Sequence, residues 1–120
     1  MADSVLFISW GESIPGREER GLEVFNEAIG LYGRMQQDGR IEAFDVVLLA
    51  PNGGLSGYIE LMGSAEQLAA VRQDEDYRRV LVDATLIVKE MSVTEGSTGE
   101  GIARDMALYQ EAIAKVPQTA

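Results

Sequence analysis

Two carboxylates, Asp45 and Glu60, are the residues of this sequence whose placement most suggests chemistry. A β-hairpin predicted over Ile41 to Gly63 places them opposite each other. Opposed like charges destabilise a sheet, and two carboxylates held close in a partly buried place usually raise the pKa of one of them toward neutrality. Such a pair can act as a general acid or base. In the ordinary alternatives both point into water, pair with Lys89 or a partner-chain arginine, or never meet because the register differs.

The hairpin is predicted from two apolar runs, Phe44 to Ala50 and Leu55 to Met62, which flank Pro51-Asn52-Gly53-Gly54. Asn-Gly between such runs is typical of a tight hairpin, because both residues accept positive φ. A two-residue loop at Asn52-Gly53 fixes the register and makes one face wholly apolar and the other mixed. The opposed pairs are then Phe44 with Leu61, Val46 with Ile59, and Asp45 with Glu60.

The composition excludes several classes of site and partner. The 120 residues include no cysteine and no histidine, which excludes disulfides, thiol nucleophiles, Cys/His zinc sites and Ser-His-Asp catalysis. The net charge of −10 argues against nucleic acid or an anionic membrane as the main partner. We expect one soluble domain over residues 1–120, with its core at about 4–95. Without a leader-like or membrane-spanning segment, a cytoplasmic location is the default.

Two other stretches invite a functional interpretation that their spacing does not support. The acidic group Asp74, Glu75, Asp76 and Asp83 lacks the alternating ligands and glycine bend of a calcium loop, and a solvated helix face explains it. Residues 96–101 contain three glycines but lack the motifs of phosphate-binding loops, and a flexible connection explains them. We therefore predict no metal site and no cofactor.

The predicted order of elements is β-α-β-β-α-β followed by one extra helix. The first strand is Val5 to Trp10 and the fourth is Leu86 to Thr94. A capping box at Ser64-Gln67 begins the second helix, which Asp74 recaps, and another at Ser97-Glu100 begins the last helix, at about residues 98–116. Apolar stripes mark the first helix (Leu22, Phe25, Ile29, Tyr32, Met35) and the last helix (Ile102, Met106, Tyr109, Ile113, Val116).

This order can form a four-stranded antiparallel sheet with both crossover helices on one face, the ferredoxin-like arrangement. The wholly apolar face should lie under the helices: Leu6, Ile8, Trp10, Phe44, Val46, Leu48, Ile59 and Leu61. The other face still carries six large side chains: Val5, Phe7, Val47, Leu49, Tyr58 and Met62. Leaving them in water forgoes on the order of 10 kcal/mol. We therefore predict a homodimer through this face, the alternative being that the C-terminal helix folds across it or embraces the partner.

Three features of the sequence resemble the dimeric α+β barrel superfamily over roughly Val5 to Thr94. They are the order of elements, the Gly63-Ser64-Ala65-Glu66 connection from the third strand into the second helix, and the Asp74-Glu75-Asp76-Tyr77 interruption of that helix before the strand at Leu86. Trp10-Gly11-Glu12, Pro15-Gly16-Arg17-Glu18 and Pro51-Asn52-Gly53-Gly54 resemble an uncharacterised bacterial branch of it. The superfamily includes cofactor-independent monooxygenases, muconolactone isomerases, haem-handling enzymes, stress-responsive barrels and effector domains of regulators. Its haem-handling members usually rely on a histidine, which this sequence lacks.

The resemblance implies a ligand pocket between the first helix and the sheet. The candidate ligand-binding residues are Trp10, Arg17, Asn26, Tyr32 and Tyr58, which supply an aromatic wall and a few polar groups. Arg17 can clamp a carboxylate with its planar guanidinium. In the ordinary explanation, Trp10 and Tyr32 belong to the core and Arg17 pairs with a nearby acid.

Three functional hypotheses follow. The first is a cytoplasmic homodimer, of an uncharacterised kind, that binds a small organic ligand. The second is a cofactor-independent monooxygenase or isomerase acting on an aromatic or polyketide-like molecule, oriented by Tyr32, Tyr58 or Trp10, with Asp45, Glu60 or Glu27 moving a proton. The third is an effector- or partner-binding module. A cavity of several hundred Å³ where a carboxylate and a tyrosine converge would favour the enzyme.

Overall fold

The computed structural model describes residues 2–117 and residue 119, and it has the predicted ferredoxin-like α+β fold. The elements are β1 (Ser4–Trp10), α1 (Glu18–Gln37), β2 (Ala43–Leu48), β3 (Gly57–Gly63), α2 (Ala65–Gln73), α3 (Glu75–Thr85), β4 (Ser92–Ser97) and α4 (Glu100–Ile113). The strands form one antiparallel sheet in the order β2-β3-β1-β4. Within the described residues, none of the helices combines the length and the apolar character that crossing a membrane requires.

The hairpin has the predicted register but a longer loop. Asp45 lies opposite Glu60, whereas the strands end at Leu48 and resume at Gly57. Gly53 takes a positive φ of 77°, but Asn52 does not. Asn52 acts instead through its side chain, which donates to two loop carbonyls at 2.9 and 2.8 Å and accepts from the Gly54 N–H at 2.8 Å. The prediction of a two-residue turn is therefore wrong, and the register survives because the longer loop is centred on the same pair.

The core lies between the sheet and helices α1, α2 and α3. Its largest fully buried side chains are Tyr32, Tyr77, Leu6, Met35, Ile41 and Leu61. Trp10, Phe44 and Val46 pack against this core while partly buried, so most of the face predicted to lie under the helices does so. Leu48 is the exception, at 67% exposed. It ends the edge strand β2 opposite Gly57, which has no side chain to pack against.

The buried side of α1 differs from the predicted stripe. Tyr32 and Met35 are buried as expected, together with Val24, Ala28 and Leu31. Leu22 was assigned to this stripe but is 67% exposed. The predicted stripe contains large residues only, whereas the helix turns the small Ala28 toward the sheet. A small side chain there permits close packing.

The fourth strand begins later than predicted. Only the end of the predicted segment, from Ser92, belongs to β4. The preceding residues pair with the chain that follows β1: the Gly11 N–H donates to the Lys89 carbonyl at 2.8 Å, and the Ile14 N–H donates to the Ile87 carbonyl at 2.9 Å. Glu90 then takes a positive φ of 54°, which interrupts an extended strand.

Two of the three predicted helix starts are confirmed. The Ser64 hydroxyl accepts from the Gln67 N–H at 3.1 Å while the Gln67 side chain accepts from the Ser64 N–H at 2.8 Å. Asp74 caps α3 by accepting from the Tyr77 N–H at 2.9 Å. The capping box predicted at Ser97-Glu100 is wrong, because Ser97 still belongs to β4 and the N-cap of α4 is Gly99.

Removing the Ser64 cap should lower the stability of the fold by a measurable amount. Ser64→Ala leaves the Gln67 N–H without its acceptor, and we expect the free energy of unfolding in urea to fall by about 1 kcal/mol. Ser56→Ala is the control, because the Ser56 hydroxyl makes no hydrogen bond within the described residues, and we expect it to change stability by a few tenths of that. Equal losses in the two variants would contradict the capping account.

Candidate functional site

A cleft opens between α1, α3 and the helix-covered face of the sheet. The sheet contributes Ile8, Trp10 and Ile59 to its lining, and the helices contribute Phe25, Ala28, Tyr32 and Ala84 among others. The cavity volume is about 70 Å³, inside a cleft of about 480 Å³ that includes its open mouth. The cavity is thus smaller than the several hundred Å³ that a drug-sized ligand occupies.

Aromatic contacts hold the rings of the cleft in place. Trp10 meets Phe25 edge-on with the ring centroids 6.0 Å apart, and Tyr32 meets Phe44 edge-on at 6.2 Å. Such tilted arrangements suit the quadrupoles of the rings. Trp10 and Tyr32 therefore form a fixed aromatic wall, as the sequence suggested.

Two buried phenols set the electrostatics on this side of the sheet. Burial, and to a lesser degree the neighbouring Tyr77, raises the pKa of Tyr32 well above its ordinary value of 10.0. Burial also raises the pKa of Tyr77, partly offset by the charge of Arg72. The Tyr77 hydroxyl is buried and makes no hydrogen bond within the described residues. Both phenols are therefore neutral at ordinary pH, and neither is poised to act as a base.

The other three predicted ligand-binding residues lie outside the cleft lining. The Arg17 guanidinium donates to the Leu86 carbonyl at 2.5 Å, so it holds the turn after α3. Asn26 is exposed on α1. Tyr58 lies on the opposite face of the sheet, where its ring contacts the tilted ring of Phe7 with the centroids 4.9 Å apart. The alternation along β3 accounts for this, because Ile59 points toward the helices and its neighbour must point away.

The candidate catalytic carboxylates also lie away from the cleft. Asp45 and Glu60 are opposed on the other face of the sheet, and neither has an ion-pair partner within the described residues. Glu27 is exposed on α1 and lies 3.3 Å from an Arg20 nitrogen. The pairing of Asp45 or Glu60 with Lys89 does not occur in the described part of the chain.

Arginines account for the acidic group on α2 and α3. Asp74 lies 3.3 Å from Arg40, Asp83 lies 3.2 Å from Arg20, and Arg79 contacts Glu75 and Asp76. The described residues contain no group of acidic side chains that could hold a metal ion. These are half-exposed surface pairs, each of which contributes little to stability.

Sequence reasoning missed the wall that α3 and the following turn provide. Ala84, Ile87 and Met91 line the cleft, but residues from 86 onward were assigned to a strand. Gly21 also lines it, and a Cβ there would point at Ile87 from 3.9 Å. The small residues Gly21, Ala28 and Ala84 were the available signal, since they leave space between a helix and its neighbours.

The opposite face of the sheet is not covered by α1, α2 or α3, which all pack on the other side. It carries Val5, Phe7, Val47, Tyr58 and Met62, each half-buried by its strand neighbours. Leu49, predicted to belong to this face, lies just beyond β2 and is 38% exposed. An apolar surface of this kind is unusual on an antiparallel sheet that faces water.

Solved structures share this fold. A protein of unknown function from Nitrosomonas europaea has a TM-score of 0.59 at 14% identity, over 82% of this chain and 90% of its own. A conserved protein from Methanosarcina mazei Go1 has a TM-score of 0.61 at 10% identity, over 81% and 94%. A protein from Chloroflexus aurantiacus J-10-fl, named provisionally as an antibiotic biosynthesis monooxygenase, has a TM-score of 0.55 at 10% identity, over 80% and 93%.

At these identities the likeness shows the fold alone, and it confirms the ferredoxin-like α+β architecture that the dimeric α+β barrel proteins also have. No protein-family model matches the sequence, and no curated protein matches it.

Because the Tyr77 hydroxyl makes no hydrogen bond within the described residues, we predict that removing it does not lower the stability of the fold. For Tyr77→Phe we expect a free energy of unfolding equal to the wild type or up to about 1 kcal/mol higher, because no hydrogen bond is lost. A raised phenol pKa means that the folded state holds its proton more tightly, so wild-type stability falls as the pH rises above 10, and the variant should lose less.

Chemical unfolding at pH 8 and pH 11 measures both effects. Ser56→Ala is the control, because it removes a hydroxyl that makes no hydrogen bond within the described residues and does not titrate between these pH values, so it should leave the loss of stability between pH 8 and pH 11 unchanged. A loss of more than about 1 kcal/mol for Tyr77→Phe at pH 8 would contradict the account and point to a bound water on the hydroxyl.

Proposed function

We propose that the protein is a homodimer whose two sheets face each other, and that each subunit binds a small apolar organic molecule in the cleft beneath α1. The proposal of a ligand rests on the apolar cleft with an aromatic wall between α1 and the sheet. The proposal of a dimer rests on the uncovered apolar face of the sheet.

The free energy gained by burying the uncovered face supports the proposal that a second sheet packs on it. Burying a large apolar side chain contributes roughly 1.5 to 3 kcal/mol when it starts fully exposed. Val5, Phe7, Val47, Tyr58 and Met62 are half-buried already, so covering all five contributes on the order of 5 kcal/mol. A second copy of the same face supplies a flat surface of matching shape about a single two-fold axis.

The dimensions and polarity of the cleft define the class of ligand. Its lining is apolar apart from the Tyr32 phenol and the Trp10 indole. A cavity of about 70 Å³ accepts a group of a few carbon atoms, and the open mouth lets a larger molecule extend outward. An aromatic or short aliphatic group with little charge fits these limits.

Binding accounts for this cleft better than catalysis does. The name of the Chloroflexus aurantiacus protein makes a cofactor-independent monooxygenase a natural second candidate. Proton abstraction needs a base within reach of the substrate. The described lining of the cleft contains no carboxylate, Glu27 is paired on the surface, and burial holds the Tyr32 phenol neutral. We therefore favour a binding protein over an oxygenase or isomerase.

A charge placed on the uncovered face tests the dimer. Val47→Glu adds a further carboxylate beside Asp45 and Glu60 in the proposed interface, and we expect the dimer dissociation constant to rise at least about 100-fold, measured by sedimentation equilibrium. Val82→Glu is the matched control, because Val82 is 61% exposed on α3, away from the sheet. Wild-type protein that sediments as a monomer, or equal effects of the two glutamates, would contradict the proposal.

Filling the cleft tests the ligand site. Benzene is the probe, and we expect wild-type protein to bind it with chemical-shift changes at Ala28, Ala84 and Met91 in NMR titration. Gly21→Leu projects a side chain toward Ile87 and should weaken binding at least about tenfold. Gly33→Leu makes the same change on the same helix where a Cβ meets nothing within 4 Å, and it should bind normally. A wild type that shows no benzene shifts at the cleft would overturn the site.

A further inference from the structure

Helix α4 carries more exposed large hydrophobic side chains than any other element of the described residues. Half of the twelve exposed large hydrophobic side chains among the described residues lie between positions 102 and 116. Four of them form what we name the α4 stripe: Ile102, Met106, Tyr109 and Ile113, at 51, 50, 62 and 38% exposed. The side chains of the uncovered sheet face are more enclosed. Any account of assembly must therefore include α4.

The spacing of the α4 stripe indicates a helical partner. Its members follow one another at intervals of four, three and four residues, the a/d spacing of a coiled-coil seam. A helix that packs on a sheet or a globular core usually presents a broader apolar side. Ala103 and Ala112, beside the seam, are small enough for a second helix to approach closely.

Contacts with the start of the chain fix the direction of α4. The Thr98 N–H donates to the Asp3 carbonyl at 3.0 Å, and Arg104 forms an ion pair with the Asp3 carboxylate. Gly101 packs so tightly there that a Cβ would lie 2.2 Å from the Asp3 carbonyl oxygen. Glycine is therefore required at position 101, and α4 leaves the sheet in one orientation.

The fixed helix stands away from the rest of the molecule. The radius of gyration is 17.0 Å, and the principal extents are 53 × 38 × 23 Å. A compact chain of this length has a radius of gyration of about 13.6 Å. The difference indicates that α4 extends as an arm and does not fold back onto its own core.

We propose that α4 packs its stripe against the α4 stripe of a second copy of this chain, forming a two-helix contact between subunits. The inference rests on the homodimer of the proposed function and adds a second contact to it. A two-fold axis is compatible with this contact, because an isologous interface pairs the same surface patch on both subunits.

The size of the interface supports this assignment. A stable interface usually buries about 800 Å² on each partner. The half-buried apolar side chains of the sheet face offer on the order of 300 Å². The α4 stripe supplies further exposed apolar area on the same chain, and pairing it with a second α4 adds this area to the interface.

Cysteine cross-linking tests the helix pair, since the chain has no cysteine of its own. Met106→Cys and Tyr109→Cys each place one thiol in the middle of the stripe, and Glu111→Cys places one on the opposite side of α4. Each variant is oxidised at low micromolar concentration, alone and in pairwise mixtures, and covalent dimers are measured on non-reducing gels. The mass of each reduced variant is measured by sedimentation.

We expect the two stripe variants, alone or mixed with each other, to form at least about ten times more covalent dimer than Glu111→Cys does alone or in any mixture, because only facing helices bring Cα atoms within about 7 Å. Reduced proteins that sediment as dimers while stripe and control cross-link equally would overturn the α4 contact and leave the sheet dimer standing. Reduced proteins that sediment as monomers, together with a monomeric wild type, would overturn both.

Discussion

Burial of a β-sheet that is apolar on both faces is the constraint on which the rest of this structure depends. Helices α1, α2 and α3 enclose one face and place Leu6, Leu61 and Tyr32 in the core. The other face keeps Phe7 and Tyr58 in contact with each other and partly exposed to water. Since the net stability of a folded domain is only about 5 to 15 kcal/mol, surface of this kind is costly to leave uncovered. Self-association offers a cover that needs no other partner.

The two sides of the sheet then have separate roles. The helix-covered side holds a small cleft whose aromatic wall is fixed by edge-on contacts between Trp10 and Phe25 and between Tyr32 and Phe44. In the proposed dimer, the uncovered side and the projecting α4 arm serve assembly. Asp45 and Glu60, which first suggested catalysis, lie on the uncovered side and away from the cleft, so the two carboxylates do not face a ligand held there.

Much of the architecture could be predicted because local chemistry determines it. The Ser64 capping box and the Asp74 cap follow from side chains that reach nearby amides, and the hairpin register follows from two alternating apolar runs. The fourth strand was misplaced because the backbone pairing of Lys89 and Ile87 with residues 11–14 is a long-range contact that no local pattern reveals. The loop at Asn52 was misjudged because asparagine can shape a turn either through its backbone or through its side chain.

The candidate site was predicted less well, for a related reason. Trp10 and Tyr32 were identified from their types and positions, but Asn26 lies one residue beyond the helix position that faces the cleft. Tyr58 could have been excluded by the alternation that placed Ile59 under the helices. The contribution of Ala84 and Met91 depends on how α3 and its following turn pack, which is a tertiary property.

Intermolecular nuclear Overhauser effects, recorded in a mixture of isotope-labelled and unlabelled protein, test most directly whether a second subunit packs on the uncovered face of the sheet. The account predicts cross-peaks between subunits from the methyl groups of Val5 and Val47 to the rings of Phe7 or Tyr58. If the mixture shows no such cross-peaks while those methyl groups remain accessible to a soluble paramagnetic agent, the sheet face is not the interface and the account is wrong.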